Sequence, residues 1–386
     1  MTRITDPWLK TPATQSVCAL IEAGGAQALF VGGCVRNALL GVGVSDIDIA
    51  TDAPPERVIE LARKAGIKTV PTGLDHGTVT LVADGLAHEV TTFRRDVATD
   101  GRRAVVAFSG DVAEDAARRD FTMNALYARP DGTVIDPLGA GLDDLHARRV
   151  RFIGAASDRI REDYLRSLRY FRFHAWYGDL DQGFDPEALS AIAQNLDGLS
   201  QLSAERVGAE MLKLLAAPDP APSLAAMRST GVLGQLLPGA DDRALAPLVH
   251  LETQAGIAPD SLRRLAALGP VDAENKLRLS RAQRKRLEQM QEAASGLMAA
   301  AELGYRLGES GACDALLLRA AWSEQPWQSE WQGAAARGAA AEFPLTAKDL
   351  MPRLTGPALG ARLAALTQEW IDSGFALDRK ELLARI

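Results

Sequence analysis

Val31-Gly32-Gly33-Cys34-Val35-Arg36, followed at hairpin distance by Ser45-Asp46-Ile47-Asp48-Ile49, decides how the first part of this chain folds. Side chains alternate faces along a strand, so Asp46 and Asp48 present two carboxylates side by side while Ile47 and Ile49 enter a core. Two like charges so close are costly unless a cation lies between them. Mg²⁺ takes oxygen ligands, using one or two carboxylates together with substrate phosphates. Gly32 and Gly33 lack a Cβ, so their backbone can approach a phosphate, with the Arg36 guanidinium beside it. Phosphate cradle and metal pair together point to nucleotide chemistry. Taken alone, Asp-x-Asp reads more readily as a strand-end turn with solvated carboxylates.

Composition sets the bounds. The 386 residues suffice for two or three domains. An apolar share of 47% and a charged share of 24% are ordinary for a soluble globular protein. No apolar run reaches membrane-spanning length, and residues 1–20 lack a basic-then-apolar signal, so a cytoplasmic protein without membrane contact is expected. Cys18, Cys34 and Cys313 are too scattered for a zinc site and too few for a disulfide framework. The formal net charge of −7 argues against a generally sticky nucleic-acid coat but leaves room for a local basic groove. No obligate protein partner is evident from the sequence.

Around the opening stretch, the pattern predicts a helix over 13–24, a strand Ala28–Val31, a helix from Gly33 or Cys34, and a strand Asp46–Ala50. An amphipathic helix Pro54–Ala65 follows, opened by Pro-Pro. Thr78–Val82 and His88–Phe93 alternate like a hairpin about Asp84-Gly85, a turn dipeptide. Val134–Asp136 adds a short strand. These elements make an α+β domain with a small antiparallel or mixed sheet. From about Asp158, Ala and Leu at helical spacing run to the end, with Pro218–Pro222 the clearest linker.

Three further runs carry chemistry. Glu89 would stand beside Asp46 and Asp48 if its strand neighbours theirs, and three carboxylates holding two Mg²⁺ ions suit in-line displacement at phosphorus. By itself it is a surface strand glutamate. Arg118-Arg119-Asp120-Phe121-Thr122-Met123-Asn124-Ala125 offers forked donors for a triphosphate and short polar groups for a ribose. The same run also reads as a charged helix cap with Asp120 at the N-cap. In a helix Ile160–His174, Asp163, Arg166, Arg169 and Arg172 recur every third residue, each step retreating by roughly 60° around the axis. Leu165, Leu168 and Phe171 form a second strip for a core. Three arginines with a single neighbouring acid look like a binding face, although a salt-bridged neck helix gives a similar pattern.

Asp163 and Arg166, one turn apart in that reading, suit the Watson–Crick edges of cytosine and adenine. Both bases place an amino donor next to a ring-nitrogen acceptor, which a carboxylate and a guanidinium complement. Uracil and guanine carry the opposite order and would leave both protein groups mispaired, which a built site rejects strongly.

These segments, in this order, resemble the class II tRNA nucleotidyltransferases, the CCA-adding enzymes, whose close relatives are the bacterial poly(A) polymerases. The matching runs are Gly32-Gly33-x-x-Arg36, Asp46-x-Asp48, His76-Gly77-Thr78 with Glu89–Arg94, Asp96–Arg102, Arg118–Ala125, Glu162-Asp163-x-x-Arg166 and Glu205-Arg206-Val207-x-x-Glu210. The resemblance implies a nucleotidyltransferase-fold head (1–150) with a small mixed sheet. An all-helical neck (151–217) would follow, then a helical body and tail (218–386). It implies that Asp46 and Asp48 bind Mg²⁺ with Glu89 as third carboxylate, and that Gly32, Gly33, Arg36 and Arg119 hold the triphosphate. Asp120 and Asn124 would face the ribose, Asp163 and Arg166 would select the base, and Arg169 and Arg172 would lie beside the nucleotide. The stretch 94–115 is similar to the family's flexible loop, thought to switch the pocket from C to A. The usual Arg-Asp is Arg36-Asn37 here, which puts in doubt the contact that acid makes.

The activity so implied is stepwise addition of CMP, CMP and AMP from CTP and ATP to tRNA 3′ ends, releasing pyrophosphate. Lys276, Arg278, Arg281, Arg284, Lys285 and Arg286 form the best basic cluster for tRNA phosphates, although they also read as an exposed helix face. A poly(A) polymerase would be expected to carry a basic, sequence-tolerant tail, and the acidic balance counts against it. CC-only or A-only addition would fit the same motifs. A catalytically silent RNA-binding module would keep the fold, but the full carboxylate set argues against it.

Overall fold

The computed structural model describes residues 2–99, 104–351 and 353–386. Asp100, Gly101 and Arg102 of the loop-like stretch lie outside the described residues, as does the side chain of Asp96. The chain divides into two compact units, residues 1–210 with 222–236, and residues 211–221 with 237–386.

Unit 1 opens with α1 (Pro12–Ala23), whose Val17, Cys18 and Ile21 are buried. Then come β1 (Leu29–Val31), α2 (Gly33–Leu39), β2 (Ile47–Thr51) and α3 (Pro55–Lys64). Three strands follow: β3 (Lys68–Gly73), β4 (Thr78–Ala83) and β5 (Leu86–Thr92). Asp84 and Gly85 both have positive φ, 47° and 80°, as a two-residue hairpin turn requires. A separate ribbon of β6 (Arg94–Thr99) and β7 (Ala104–Phe108) leads to α4 (Val112–Ala117), β8 (Tyr127–Ala128), β9 (Val134–Ile135) and α5 (Gly141–His146).

The main sheet runs β3-β4-β5-β2-β1-β8-β9. It is mixed: β2 and β5 are parallel and the other pairs antiparallel. The parallel pair puts Asp48 directly across from Glu89, because Ile47 aligns with His88 and Ile49 with Val90.

The expected helix Ile160–His174 is two helices, α6 (Ala156–Glu162) and α7 (Leu165–Tyr177). Asp163 sits in the break with extended backbone (φ −154°), and its carboxylate accepts the Leu165 amide at 3.1 Å. An aspartate that can cap the next helix competes with continuation of the last one. Tyr164 is pinned here too, since its ring fills the space a Cβ on Gly198 would need. The strip of Asp163 and three arginines is therefore interrupted after its first member. The helices α8 (Pro186–Gln194), α9 (Ala204–Leu215), α10 (Ala221–Ser229) and α11 (Val232–Leu236) follow.

The regular elements of unit 2 are all helices among its described residues. It comprises α12 (Leu245–Ala255), α13 (Ser261–Ala267), α14 (Ala273–Leu277), α15 (Arg281–Ser295), α16 (Ala300–Trp322), α17 (Glu330–Ala340), α18 (Ala347–Leu350), α19 (Gly356–Asp372) and α20 (Arg379–Leu383). Its interior carries a charge network rather than apolar side chains alone. Arg263 pairs with Glu252 and Asp314 at 2.7 Å each, and Arg264 pairs with Glu252 at 2.8 Å, all nearly solvent-free. Helices α16 and α17 meet backbone to backbone where Gly304 and Gly338 leave no room for a Cβ.

Candidate active site

The candidate site residues of the first 210 positions fall in unit 1, and most of them line one cavity of about 470 Å³. Its walls carry Asp48 and Glu89 from the parallel strands, and Arg118, Arg119, Asp120 and Asn124 from the turn after α4. Asp163, Arg166, Arg169 and Arg206 come from the helical side. Arg94 completes a set of six arginines against four carboxylates. Such a balance suits a polyanionic ligand that reaches a metal at one end. A cavity of about 550 Å³ in unit 2 holds only Arg243 among acids and apolar groups and none of the motif residues.

The acidic end is poised against itself. Burial pushes the Asp48 carboxyl up, the facing Glu89 adds to this while Arg119 opposes it, and the result is about 6. Asp46 lies one residue before β2 and is exposed. Among the described residues no three acidic, His or Cys side chains are already drawn together as a metal cage. The set is one of open oxygen donors carrying unrelieved negative charge, which fits a hard divalent cation completed by substrate phosphates.

The turn that carries Arg118 and Arg119 hangs from a hub that sequence reasoning missed. Asp115 on α4 is 1% exposed and accepts from Arg118 Nε at 2.9 Å, Arg119 Nη2 at 3.1 Å and the Tyr127 hydroxyl at 2.6 Å. Tyr127 accepts in turn from Arg119 Nε at 3.0 Å. Burial works against the Asp115 charge, yet Arg119 and Arg118 hold its pKa below the ordinary carboxylate value. The signal was present in the chain, because Asp115 precedes the two arginines by three and four positions, the spacing of ion pairs on a helix.

Asp120 is not the N-cap of the helical turn Thr122–Asn124 that follows it, where Phe121 holds that position. Asp120 accepts from its neighbour Phe121, from Asn124 Nδ2 at 3.1 Å and from Arg169 Nε at 2.7 Å. Burial would raise it, but Arg169 and Asn124 bring it down to about 2. Arg169, Arg172 and Arg166 each have an acidic partner: Arg172 donates to Glu210 at 2.6 Å and Arg166 to Glu162 at 2.5 Å. The expectation of a single neighbouring acid is thus corrected, since Glu162 stands four residues before Arg166 while Asp120 and Glu210 come from elements distant in sequence. Asp163 pairs with Arg206 at 2.7 Å and keeps carboxylate lone pairs to spare.

Arg36, Arg172, Gly32 and Gly33 do not line the cavity. Arg36 is buried over the rings of Tyr177 and Phe173 and donates to Asn124 Oδ1 at 2.6 Å and the Tyr177 hydroxyl at 2.9 Å. Asn37 accepts two N–H groups of Arg36 and donates to the Gly43 carbonyl at 3.2 Å, a bond an aspartate cannot make. Gly32 has φ 70°, and a Cβ there would come within 3.4 Å of Arg119 Nη1. In unit 2, Arg284 pairs with Glu274, and Arg286 with Asp260 at 2.9 Å and Asp314 at 2.8 Å, while Lys276, Arg278, Arg281 and Lys285 are exposed.

Comparison with known proteins bears on this geometry. The Poly A polymerase head domain matches residues 28–151, and the probable RNA and SrmB-binding site of polymerase A matches residues 183–243. A solved CCA-adding enzyme of Bacillus stearothermophilus, in complex with CTP, is 30% identical with a TM-score of 0.80 over 99% of this chain and 98% of that one. The chain belongs to the class II tRNA nucleotidyltransferase family. Other members of this CCA-adding family are more alike over a part of the chain. Human mitochondrial CCA tRNA nucleotidyltransferase 1 is 43% identical over 208 residues, which is 54% of this chain and 48% of that one. The Geobacillus kaustophilus CCA-adding enzyme is 41% identical over 232 residues, 59% and 55% respectively. The chain spans about half the length of the curated relatives it matches. No helix among the described residues is long and apolar enough to cross a membrane.

Proposed function

We propose that this protein adds CMP, CMP and AMP stepwise to the 3′ end of tRNA, using CTP and ATP and releasing pyrophosphate. One observation carries the reading: a single cavity is lined by an oxygen-donor pair, an arginine clamp and a carboxylate–arginine pair. Asp48 and Glu89, with Asp46 beside them, would hold Mg²⁺, which supplies neutralisation of charge at the reacting phosphorus when bound. Arg118 and Arg119, fixed by Asp115, grip the triphosphate. Asp120 and Asn124 orient the sugar. Asp163 accepts from the base amino group and Arg166 donates to the ring nitrogen, so cytosine and adenine fit and uracil and guanine do not. In the reaction the terminal 3′-hydroxyl oxygen forms a bond to the α-phosphorus and gives its proton to solvent, and the bond from the α-phosphorus to the α–β bridging oxygen breaks with its electrons going to pyrophosphate.

The relatives named for CCA addition support the substrates. Lys276, Arg278, Arg281 and Lys285 on and beside α14 and α15 are our choice for tRNA phosphates, in a helical body and tail that follow a head of 1–150 and a neck of 151–217. Three buried cysteines, each an unpaired thiol, go with a reducing, cytoplasmic setting. The test offers purified protein a tRNA lacking its 3′ end, with CTP and ATP singly and together. Two residues added with CTP and one more with ATP support the proposal. A long A ladder overturns it in favour of poly(A) synthesis, and arrest after CC or addition of A alone narrows it to a partial activity.

A further inference from the structure

Arg159 of α6 is only 8% exposed, and its guanidinium is spent on the wall of the nucleotide cavity. Nη1 donates to Glu162, and Nη2 donates to the carbonyls of Arg118 and Arg119, the latter at 2.8 Å. Arg166 uses some of the same acceptors. Its Nη1 donates to the same Glu162 oxygen and, at 3.0 Å, to the carbonyl of Arg159 itself, while Nη2 reaches the Arg118 carbonyl at 3.2 Å. Two guanidiniums and two shared acceptors therefore close a ring. One side of the ring is the base-selecting arginine, and the other is the backbone of the turn that carries both phosphate-gripping arginines.

A buried acceptor left without a donor is costly. When Arg166 turns N–H groups toward the ring nitrogen of a base, Glu162 and the Arg118 carbonyl lose part of their supply, and Arg159 is the donor already in place to make it up. Its fork then bears more strongly on the 118–119 turn. We infer that Arg159 is a positioning residue that couples recognition of the base to the grip on the triphosphate. The inference rests on the reading of this cavity as the nucleotide site. A matching base tightens the clamp, and by reciprocity a bound triphosphate tightens the hold on a matching base. A nucleotide with the wrong base is then discriminated at its phosphates as well as at its base edge.

The test splits the ligand in two. Cytidine and inorganic tripolyphosphate are titrated calorimetrically into the full chain, each alone and each in the presence of the other, with uridine as the mismatched nucleoside. In the unaltered protein tripolyphosphate is expected to tighten cytidine by about fivefold or more, and to leave uridine unchanged. Arg159→Lys keeps the charge but loses the planar fork. It should bring the coupling below about twofold while the affinity for tripolyphosphate alone stays near its original value and the thermal midpoint falls by the few degrees that lost buried donors cost. Glu162→Gln, which weakens the shared acceptor without removing it, should lower the coupling as well and serves if the lysine variant does not fold. Both ligands binding with undiminished coupling in the variants overturns the inference alone. Neither ligand binding to the unaltered protein overturns the nucleotide-site reading and this inference together.

Discussion

Asp48 is partly buried, faces Glu89 across the sheet and has Asp46 two positions away, so its ionised form is disfavoured in the metal-free fold. A carboxyl raised above its unfolded value destabilises where it is charged, so the penalty is present above pH 6 and fades as the pH falls toward 4. Asp48→Asn should therefore stabilise the metal-free protein at pH 7.5 by roughly 1–2 kcal/mol, abolish nucleotide incorporation, and show no stability gain near pH 4. Chemical denaturation at the two pH values checks this, and equal stability of both proteins at pH 7.5 contradicts it. Asp163 lines the same cavity. Asp163→Ala should cut discrimination against UTP and GTP by about 100-fold without moving the Mg²⁺ requirement, as competition assays would show. Asp48, Glu89 and Asp163 could be picked from the sequence because each is an acid at a spacing that chemistry demands. Glu210 could not be ranked so easily, since its value lies in Arg172 of α7, and Asp115, although spaced for Arg118 and Arg119, gains its third partner from Tyr127 of β8.

Helix α4 is only six residues long, yet Asp115 on it fixes two arginines and a tyrosine. Asp115→Ala would leave Arg118 and Arg119 close together without their shared anion. A stability loss of about 3 kcal/mol is expected, with a rise in KM for CTP of about tenfold; thermal melts and steady-state kinetics test both. A folded variant with unaltered KM removes the hub role. The β4–β5 hairpin was legible because Asp84-Gly85 allows little but a tight turn between alternating strands. The break at Asp163 was not, because residues 160–174 satisfy helical periodicity without interruption. What stops the helix is a capping bond to Leu165 and the seating of Tyr164 on Gly198, a glycine 34 positions on.

Across the whole molecule, positive charge divides into a part that is spent and a part that is exposed. Arg284 and Arg286 were expected to serve RNA, but both are engaged with acids, and Arg286 extends the buried network of Arg263, Glu252 and Asp314. Lys285 lies exposed between them. Lys285→Ala should lower the slope of log affinity for tRNA against log salt by about 1 and leave the KM for CTP unchanged. Arg286→Ala should instead destabilise the fold by about 1 kcal/mol, because Asp314 and Asp260 lose a half-exposed partner while Asp314 keeps Arg263. Binding isotherms at several salt concentrations and thermal melts separate the two effects. The run 276–286 looked uniform as a sequence, since the carboxylates that claim two of its arginines lie on α14 and α16 and before α13.

The parallel pairing of β2 with β5 has a consequence in time. A hairpin such as β4–β5 closes locally, whereas parallel neighbours need a crossover, here the path through α3, β3 and β4. Asp48 and Glu89 thus meet late, across roughly forty residues of chain whose closure entropy must first be met. Before that closure the chain presents scattered acids with no common site. Divalent-cation binding energy accordingly accrues to the finished head rather than to its predecessors, so the ion should retard unfolding far more than it hastens folding.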